Sequence, residues 1–365
     1  MIVRPRILLV VGARPNFMKI APVLRTLEPD GRTTNVLLHS GQHYDHDTSE
    51  AFFEDLGIRE PDLNLGVGSG RHGAQTAAVL AGVEEVLIEG RWDFVVVVGD
   101  VNSTLAAALA AVKLGIPVAH VEAGLRSGDR GMPEEINRIL TDQLSSVCLT
   151  PSRDADENLL AEGIGRERIA FVGNVMIDSL LLTIESARDI PLPEPRLEPG
   201  RYVLATLHRP SNVDDPDQLR AILTALERIS TELPVFLPVH PRTAKAIEVA
   251  EIEVAPSVVM SGPVGYREIL RLQADAAVVL TDSGGMQEET TVLGVPCLTL
   301  RSSTERPITI TEGTNRLVPD RTTEAILEAF GEVYGVEVKA SRPEGWDGLA
   351  GERVRDRLHQ ALGIL

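Results

Sequence analysis

The chain has 365 residues, of which 43% are hydrophobic and 24% charged, with 31 Gly and 23 Pro. That length is enough for two domains, each burying its own core, and the composition excludes disordered, collagenous and repeat proteins. Lys and Arg number 35 against 53 Asp and Glu, a formal net charge of −18. Such an acidic field repels nucleic-acid phosphates and anionic lipid surfaces, so neither is an expected partner, although a local basic pocket for one small anion remains open.

At the N-terminus, Arg4, Pro5 and Arg6 lead straight into ILLVVG. This apolar run is too short for a signal peptide and has no small-residue cleavage site after it, so a cytoplasmic protein is expected. The longest apolar stretch, 104–121, is broken by Lys113, Gly115 and Pro117, and no membrane span is expected. Short runs apolar on both faces alternate with helical patterns along the whole chain. In the first half the predicted strands are 7–12, 35–40, 94–100, 117–124, 147–152 and 169–174, with helices such as 103–114 and 134–145 between them. The second half repeats the plan with strands 202–208, 235–240, 258–263, 277–282 and 296–301. Buried strands alternating with helices predict an α/β protein built of two Rossmann-like, doubly wound parallel sheets. The expected domains are 1–172 and 173–350, with a semi-rigid connector near 187–200, where Pro191, Pro193, Pro195 and Pro199 fall in a polar setting. Ligands of open parallel sheets bind at the carboxyl ends of the strands, so two such domains are expected to face a central cleft there. Cys148 and Cys297 sit inside apolar runs and read as inert core thiols.

The chemically unusual residues do follow strands. After the first come Arg14 and Lys19, on a turn and first helical turn where both could face an anion or simply be solvated. Asp100 follows FVVVVG, with Asn102 or Ser103 placed to cap the next helix, and Glu122 follows PVAHV. Pro133 suits a first helical position, and Glu134 and Arg138 lie four apart on that helix, the spacing of a surface ion pair. Yet Asp100, Glu122 and Glu134 map to one sheet edge, and clustered carboxylates perturb one another's pKa as acid/base chemistry requires. In the second half, His208 and His240 end neighbouring strands, followed closely by Arg209 and Arg242. The strongest local signal is VVLTDSGGMQEE (278–289). Here Ser283, Gly284 and Gly285 open a helix to a phosphate, Glu289 is placed for ribose hydroxyls, and Arg306 in the following polar turn suits a diphosphate. Gly68–Gly73 matches GxGxxG but follows no convincing buried strand, and no acidic residue in a βαβ context follows at the required distance, so no dinucleotide site is read. His43 and His46 lack a third ligand at a recognised spacing, and no metal is expected.

The ordered set GARPNFMKIAP, SGQHYD, GDVNSTLA, HVEAGLR, MPEEINR, TLHRPSN, PVHPR, LTDSGGMQEE and TERPITITEGTNRL, spread over nearly the whole chain, resembles the non-hydrolysing UDP-N-acetylglucosamine 2-epimerase family. The resemblance implies a GT-B-like fold, a homodimer, a UDP-sugar substrate, no cofactor and a C-terminal helix (351–365) packing back on the first domain. The chemistry is consistent with the residues. A C2 proton in a nucleotide-linked sugar is not next to a carbonyl, so inversion needs transient oxidation, for which no nicotinamide site is read, or loss and re-addition of UDP. In the family the second route operates through 2-acetamidoglucal. Carried over by motif, Asp100, Glu122 and Glu134 act on the C2 proton and His208 lies near the diphosphate. Arg14, Lys19, Arg138 and Arg306 neutralise phosphate charge, Ser283, Gly284 and Gly285 lie at the phosphate, and Glu289 meets the ribose. Gln42, Arg209 and His240 match a regulatory second site, while Asp45 stands where members with that site carry Gln. Asn16-Phe17 likewise replaces the family's frequent Glu and aliphatic residue. A hydrolysing epimerase sharing these motifs, an epimerase of another UDP-2-acetamido sugar, a GT-B glycosyltransferase and a non-catalytic UDP-sugar sensor remain alternatives.

Overall fold

The computed structural model describes residues 4–41, 53, 56–336, 338 and 340–364, apart from the Arg14 side chain. Two compact units result: the chain up to Leu182 together with the stretch from Glu344 onward, and Thr183–Pro343. The first contains β1 (Arg6–Val11), α1 (Arg14–Asp30), β2 (Thr34–His39), β3 (Leu63–Asn64), α2 (His72–Glu89), β4 (Phe94–Val98) and α3 (Asn102–Lys113). It continues through β5 (Val118–Val121), α4 (Pro133–Leu144), β6 (Val147–Thr150), α5 (Arg153–Ala161), β7 (Ile169–Phe171) and the start of α6 (Val175–Arg188). Its seven strands are all parallel, in the order β3-β2-β1-β4-β5-β6-β7.

Every residue of β4 is apolar and buried, as a strand covered on both faces requires. The helix that follows it, α3, is rich in alanine: Ala106, Ala107, Ala108, Ala110 and Ala111 are fully buried. Those small side chains let it pack closely against both α2 and α4.

The second unit carries β8 (Val203–Thr206), α7 (Pro210–Val213), α8 (Pro216–Ile229), β9 (Val235–Pro238), α9 (Pro241–Val249), β10 (Val258–Ser261) and α10 (Tyr266–Ala274). After these come β11 (Val278–Thr281), α11 (Gly284–Leu293), β12 (Cys297–Thr299), α12 (Ile308–Thr311), β13 (Asn315–Leu317) and α13 (Thr323–Val333). Its six strands, also all parallel, run β10-β9-β8-β11-β12-β13. The 3-2-1-4-5-6 order of doubly wound nucleotide-binding sheets therefore occurs twice. Both cysteines are buried, and desolvation pushes the Cys148 thiol up to about 12 and Cys297 up to about 11. The division between units falls inside α6, upstream of the Pro-rich segment. Leu197 of that segment is buried in the second unit's core beside Tyr202 and Phe236. Strands β3 and β13 were not read from the sequence, since two or three residues at a sheet edge are too few to show a periodicity.

From Glu344 the chain rejoins the first unit, and its last helix, α14 (Ala350–Ala361), packs on α1. A proline and a glycine shape that contact. Pro22 and Pro29 lie inside α1; Pro22 has no N–H to give the Met18 carbonyl, and Ser179 Oγ donates to that carbonyl instead at 2.5 Å. Gly351 lies so close to α1 that a Cβ there would stand 2.6 Å from the Pro22 carbonyl oxygen. The buried Asp178 of α6 caps the start of α14, accepting from the amides of Ala350 at 3.2 Å and Gly351 at 2.7 Å. Burial raises the Asp178 carboxyl to about 6, against the pull of those two amides. A carboxyl whose folded value exceeds its unfolded one binds its proton more tightly in the native chain. The stability it contributes is therefore fully present at acid pH and lost as pH rises through about 6. Urea unfolding at pH 4 and pH 7 should accordingly show D178N gaining on the unsubstituted protein by roughly 2–3 kcal/mol as pH rises.

Candidate active site

In each sheet the chain winds outward in opposite directions from two adjacent strands, and the crevice beyond their carboxyl ends is where such sheets take ligands. In the first unit those strands are β1 and β4. Asn16, in the first turn of α1, ties their ends together: its Oδ1 accepts from the amides of Gly12 (3.1 Å) and Ala13 (2.9 Å), and its Nδ2 donates to the Val98 carbonyl (3.1 Å). One turn along α1, Lys19 donates to Glu122 Oε2, both side chains being buried. Glu122 has φ +72°, a left-handed conformation that a residue with a Cβ seldom adopts. Its amide and that of Ala123 both donate to the Leu149 carbonyl, at 3.0 and 3.1 Å, which fixes the turn. Gly99 completes the cluster. At φ +66° a Cβ there would lie 2.9 Å from Lys19 Nζ, 3.0 Å from Asn16 Nδ2 and 3.4 Å from Glu122 Oε2, so glycine is what makes room for the ion pair.

Asp100 pairs with Arg138 of α4. The surface pair expected between Glu134 and Arg138 does not form: Arg138 is only 2% exposed and binds Asp100 and Glu135 instead, reaching Glu135 Oε2 at 2.6 and 3.0 Å. Glu135 wins because it is anchored twice more, accepting from the amides of Ser127 (3.0 Å) and Gly128 (2.9 Å), which folds the preceding loop over the helix start. Burial pushes the Glu135 carboxyl up, but these amides and Arg138 together bring it below the ordinary range. Asn137 Nδ2 donates to the Asp100 carbonyl at 2.9 Å. Glu134 is half-buried in the first turn of α4 and forms no side-chain hydrogen bond or ion pair with another described residue.

The second unit's switch point lies between β8 and β11. The fully buried Asp282, at the end of β11, gathers the residues following β8. It accepts from the amides of His208 (3.1 Å) and Arg209 (2.9 Å) and from Asn212 Nδ2 (3.0 Å), and His208 Nδ1 lies 2.7 Å from its Oδ1. Burial alone would raise this carboxyl; His208, the Arg209 amide and Asn212 outweigh it and hold it below the usual range. Immediately after Asp282, Ser283 caps α11 without a side-chain bond, leaving the amides of the first turn clear of any side chain from the cap. A Cβ on Gly284 would stand 2.6 Å from Arg306 Nη1 and 2.8 Å from Glu305 Oε1. Arg306 itself is braced by Glu305 and by Glu288 at 3.0 Å. Glu289, in the second turn, is buried and accepts from Tyr266 OH (3.2 Å) and Gln273 Nε2 (2.8 Å). Its burial raises the carboxyl to about 7 against those two donors, with Glu288 adding to the rise.

The structure thus joins Lys19 to Glu122, Asp100 to Arg138, and Arg306 to the Gly284 end of α11. His208 and His240 have ring centroids 6.0 Å apart, and Arg209 Nη2 lies 3.9 Å from Glu305. Gln42, Asp45, His43 and His46 lie outside the described residues, as does the Arg14 side chain. The GxGxxG match spans the turn between the two-residue β3 and α2 and follows no buried strand. Asn16, Glu135, Tyr266, Gln273 and Glu305 escaped the sequence reading. Only Glu135 left a usable signal, its place three residues before Arg138.

Two all-parallel sheets of doubly wound order, each with charged side chains converging at its switch point, define an α/β protein of the ligand-binding Rossmann-like class. A sequence model of the UDP-N-acetylglucosamine 2-epimerase family matches residues 25–359. A UDP-N-acetylglucosamine 2-epimerase of Methanocaldococcus jannaschii is 40% identical over 364 residues, covering 95% of this chain and 96% of the relative. A UDP-2,3-diacetamido-2,3-dideoxy-D-glucuronate 2-epimerase of Pseudomonas aeruginosa is 44% identical over 316 residues, covering 86% and 88% respectively. The crystal structure of the Methanocaldococcus jannaschii enzyme in complex with UDP-GlcNAc and UDP matches with a TM-score of 0.90 at 39% identity, over 97% of this chain and 99% of that one. The fold class is the GT-B-like α/β one, and the chain belongs to the UDP-N-acetylglucosamine 2-epimerase family.

Removing the fully buried Asp282 carboxylate takes the acceptor from three donors and from the His208 ring, which is itself 40% exposed. In urea unfolding, D282A is expected to cost about 3 kcal/mol or more, and N212A, which loses its bonds to Asp282, to the Leu300 carbonyl at 2.9 Å and from Arg321 at 3.1 Å, about 2–3 kcal/mol.

Proposed function

We propose that this protein interconverts UDP-N-acetylglucosamine and UDP-N-acetylmannosamine by inverting C2, through elimination of UDP and its re-addition to 2-acetamidoglucal. The observation that carries this reading is the pairing of two carboxylates with cations at one sheet's switch point, Glu122 with Lys19 and Asp100 with Arg138. A pure binding module for a doubly charged diphosphate gains nothing from acids there. The complex of the Methanocaldococcus jannaschii relative with UDP-GlcNAc and UDP supports the substrate class.

In the forward direction a carboxylate takes the C2 proton. The C2–H electron pair becomes the C1–C2 double bond, and the C1–O bond breaks with its electrons leaving on UDP. In the return step UDP oxygen rejoins C1 while a proton is delivered to C2 from the opposite face, so atoms and electrons balance without an external oxidant. Asp100, Glu122 and Glu134 are the proposed proton carriers. Glu134 forms no ion pair with another described residue, whereas Glu122 and Asp100 are each held by a cation, Lys19 and Arg138. Arg14, Lys19, Arg138 and Arg306 offset the charge that gathers on the departing diphosphate, and His208, oriented by Asp282, lies beside it. Amides of the Ser283-Gly284-Gly285 turn receive phosphate oxygens and Glu289 the ribose hydroxyls.

Incubation with UDP-N-acetylglucosamine in D₂O, followed by NMR, should show deuterium entering C2 as UDP-N-acetylmannosamine appears. Free N-acetylmannosamine with UDP would instead identify the hydrolysing reaction, and exchange confined to a 2,3-diacetamido glucuronate would move the substrate to that of the Pseudomonas aeruginosa relative. D100N, E122Q and E134Q should each slow C2 exchange by about 10²–10⁴-fold. G284A, whose added carbon meets Arg306, should weaken UDP binding about tenfold by calorimetry, a loss of ~1.4 kcal/mol.

A further inference from the structure

His120 stands on β5, fully buried, two residues before Glu122. Its Nε2 lies 2.7 Å from the Gly99 carbonyl oxygen and its Nδ1 2.6 Å from Asp142 Oδ1. A carbonyl offers no proton, so Nε2 is the donor in the first contact. Asp142, also fully buried, is engaged on its other oxygen by the Gly124 amide at 3.1 Å and by Arg126 Nη2 at 2.8 Å. Arg126 is in turn forked onto Glu162 through two 2.7 Å bonds. One imidazole and one carboxylate therefore grip the segments carrying two of the three proposed proton carriers: Gly99 immediately precedes Asp100, and Gly124 closes the turn begun by Glu122.

The gripped residues are the ones that need holding. Gly99, Glu122 and Gly124 have φ of +66°, +72° and +83°. Gly99 packs against Lys19, Asn16 and Glu122 so closely that no Cβ fits. A rotation of the Gly99 peptide would move Asp100 directly and the Lys19–Glu122 pair through contact. We propose that His120 is a positioning residue for C2 chemistry, its Nε2–H arm to Gly99 setting where the Asp100 and Glu122 carboxylates stand. This inference rests on the reaction proposed above. It assigns His120 no contact with the sugar.

The two arms can be separated by substitution. The amide nitrogen of Gln reaches about as far as imidazole Nε2, so H120Q keeps a donor for Gly99, whereas that of Asn reaches about as far as Nδ1, so H120N keeps only the Asp142 arm. C2 deuterium exchange and turnover are measured for both, with UDP affinity by calorimetry and the unfolding midpoint alongside. Expected is a fall in kcat of about 10²-fold for H120N with KM and UDP affinity unchanged, the size of effect a misplaced catalytic group gives, and H120Q within about tenfold of the unsubstituted enzyme. Equal losses in the two variants, or exchange at the unsubstituted rate in H120N, would overturn the assignment. An unsubstituted protein that binds UDP but exchanges no C2 proton would overturn the proposed reaction, and this inference with it.

Discussion

Carboxylates taken out of water beside the ends of parallel strands are the constraint on which the rest of this structure depends. Desolvating an ionised carboxylate costs several kcal/mol, and even a good partner returns little net stability. Yet Glu122, Glu135, Asp142, Asp282 and Glu305 are all buried, each with a cation or an imidazole within reach. A chain with an excess of 18 acids spends its few buried cations at these places. Stability does not explain that expense, since apolar residues of similar volume would fill the same spaces at lower cost. Fixed position and fixed charge do.

Backbone conformation follows from the same demand. Lys19 and Glu122 meet only because Gly99 leaves the space and because Glu122 itself adopts a left-handed turn. Such a turn persists when its surroundings over-determine it. Here the Leu149 carbonyl holds the amides of Glu122 and Ala123, and Asp142 holds that of Gly124. The parallel sheet supplies rigid strand ends, and the turn just beyond them carries the strain.

The sequence announced the strands because a sheet covered on both faces demands unbroken apolar runs, and FVVVV can be little else. It announced Asp100, Glu122, His208 and the SGG turn because polar residues straight after such runs have no role in the core. What it hid was pairing. Glu134 and Glu135 are adjacent acids within one turn of Arg138, and the i, i+4 rule favours Glu134. The choice falls to Glu135 through the Ser127 and Gly128 amides, which belong to a loop whose path no local rule gives. Asn16 reads as a departure from its family's frequent Glu, yet its neutral amide both accepts from Gly12 and Ala13 and donates to Val98. A carboxylate could do only the first. His120 was invisible for another reason: flanked by Ala119 and Val121 it reads as part of a strand, and its partners lie on β4's end and on α4.

The two units apply one topology to different electrostatic tasks. In the first, cations are set against carboxylates, Lys19 on Glu122 and Arg138 on Asp100. In the second, Asp282 is spent wholly on orienting His208 and the turn after β8, and the space in front of α11 is lined by backbone amides and Arg306. The Glu289 carboxyl there is raised by burial rather than lowered by a cation, and is held by the neutral donors Tyr266 and Gln273. The first unit thus holds its acids with cations, while the second holds Glu289 with neutral donors. Repeating the sheet gives both environments the same rigid strand ends, and the turns after β4, β5, β8 and β11 decide which chemistry each end presents.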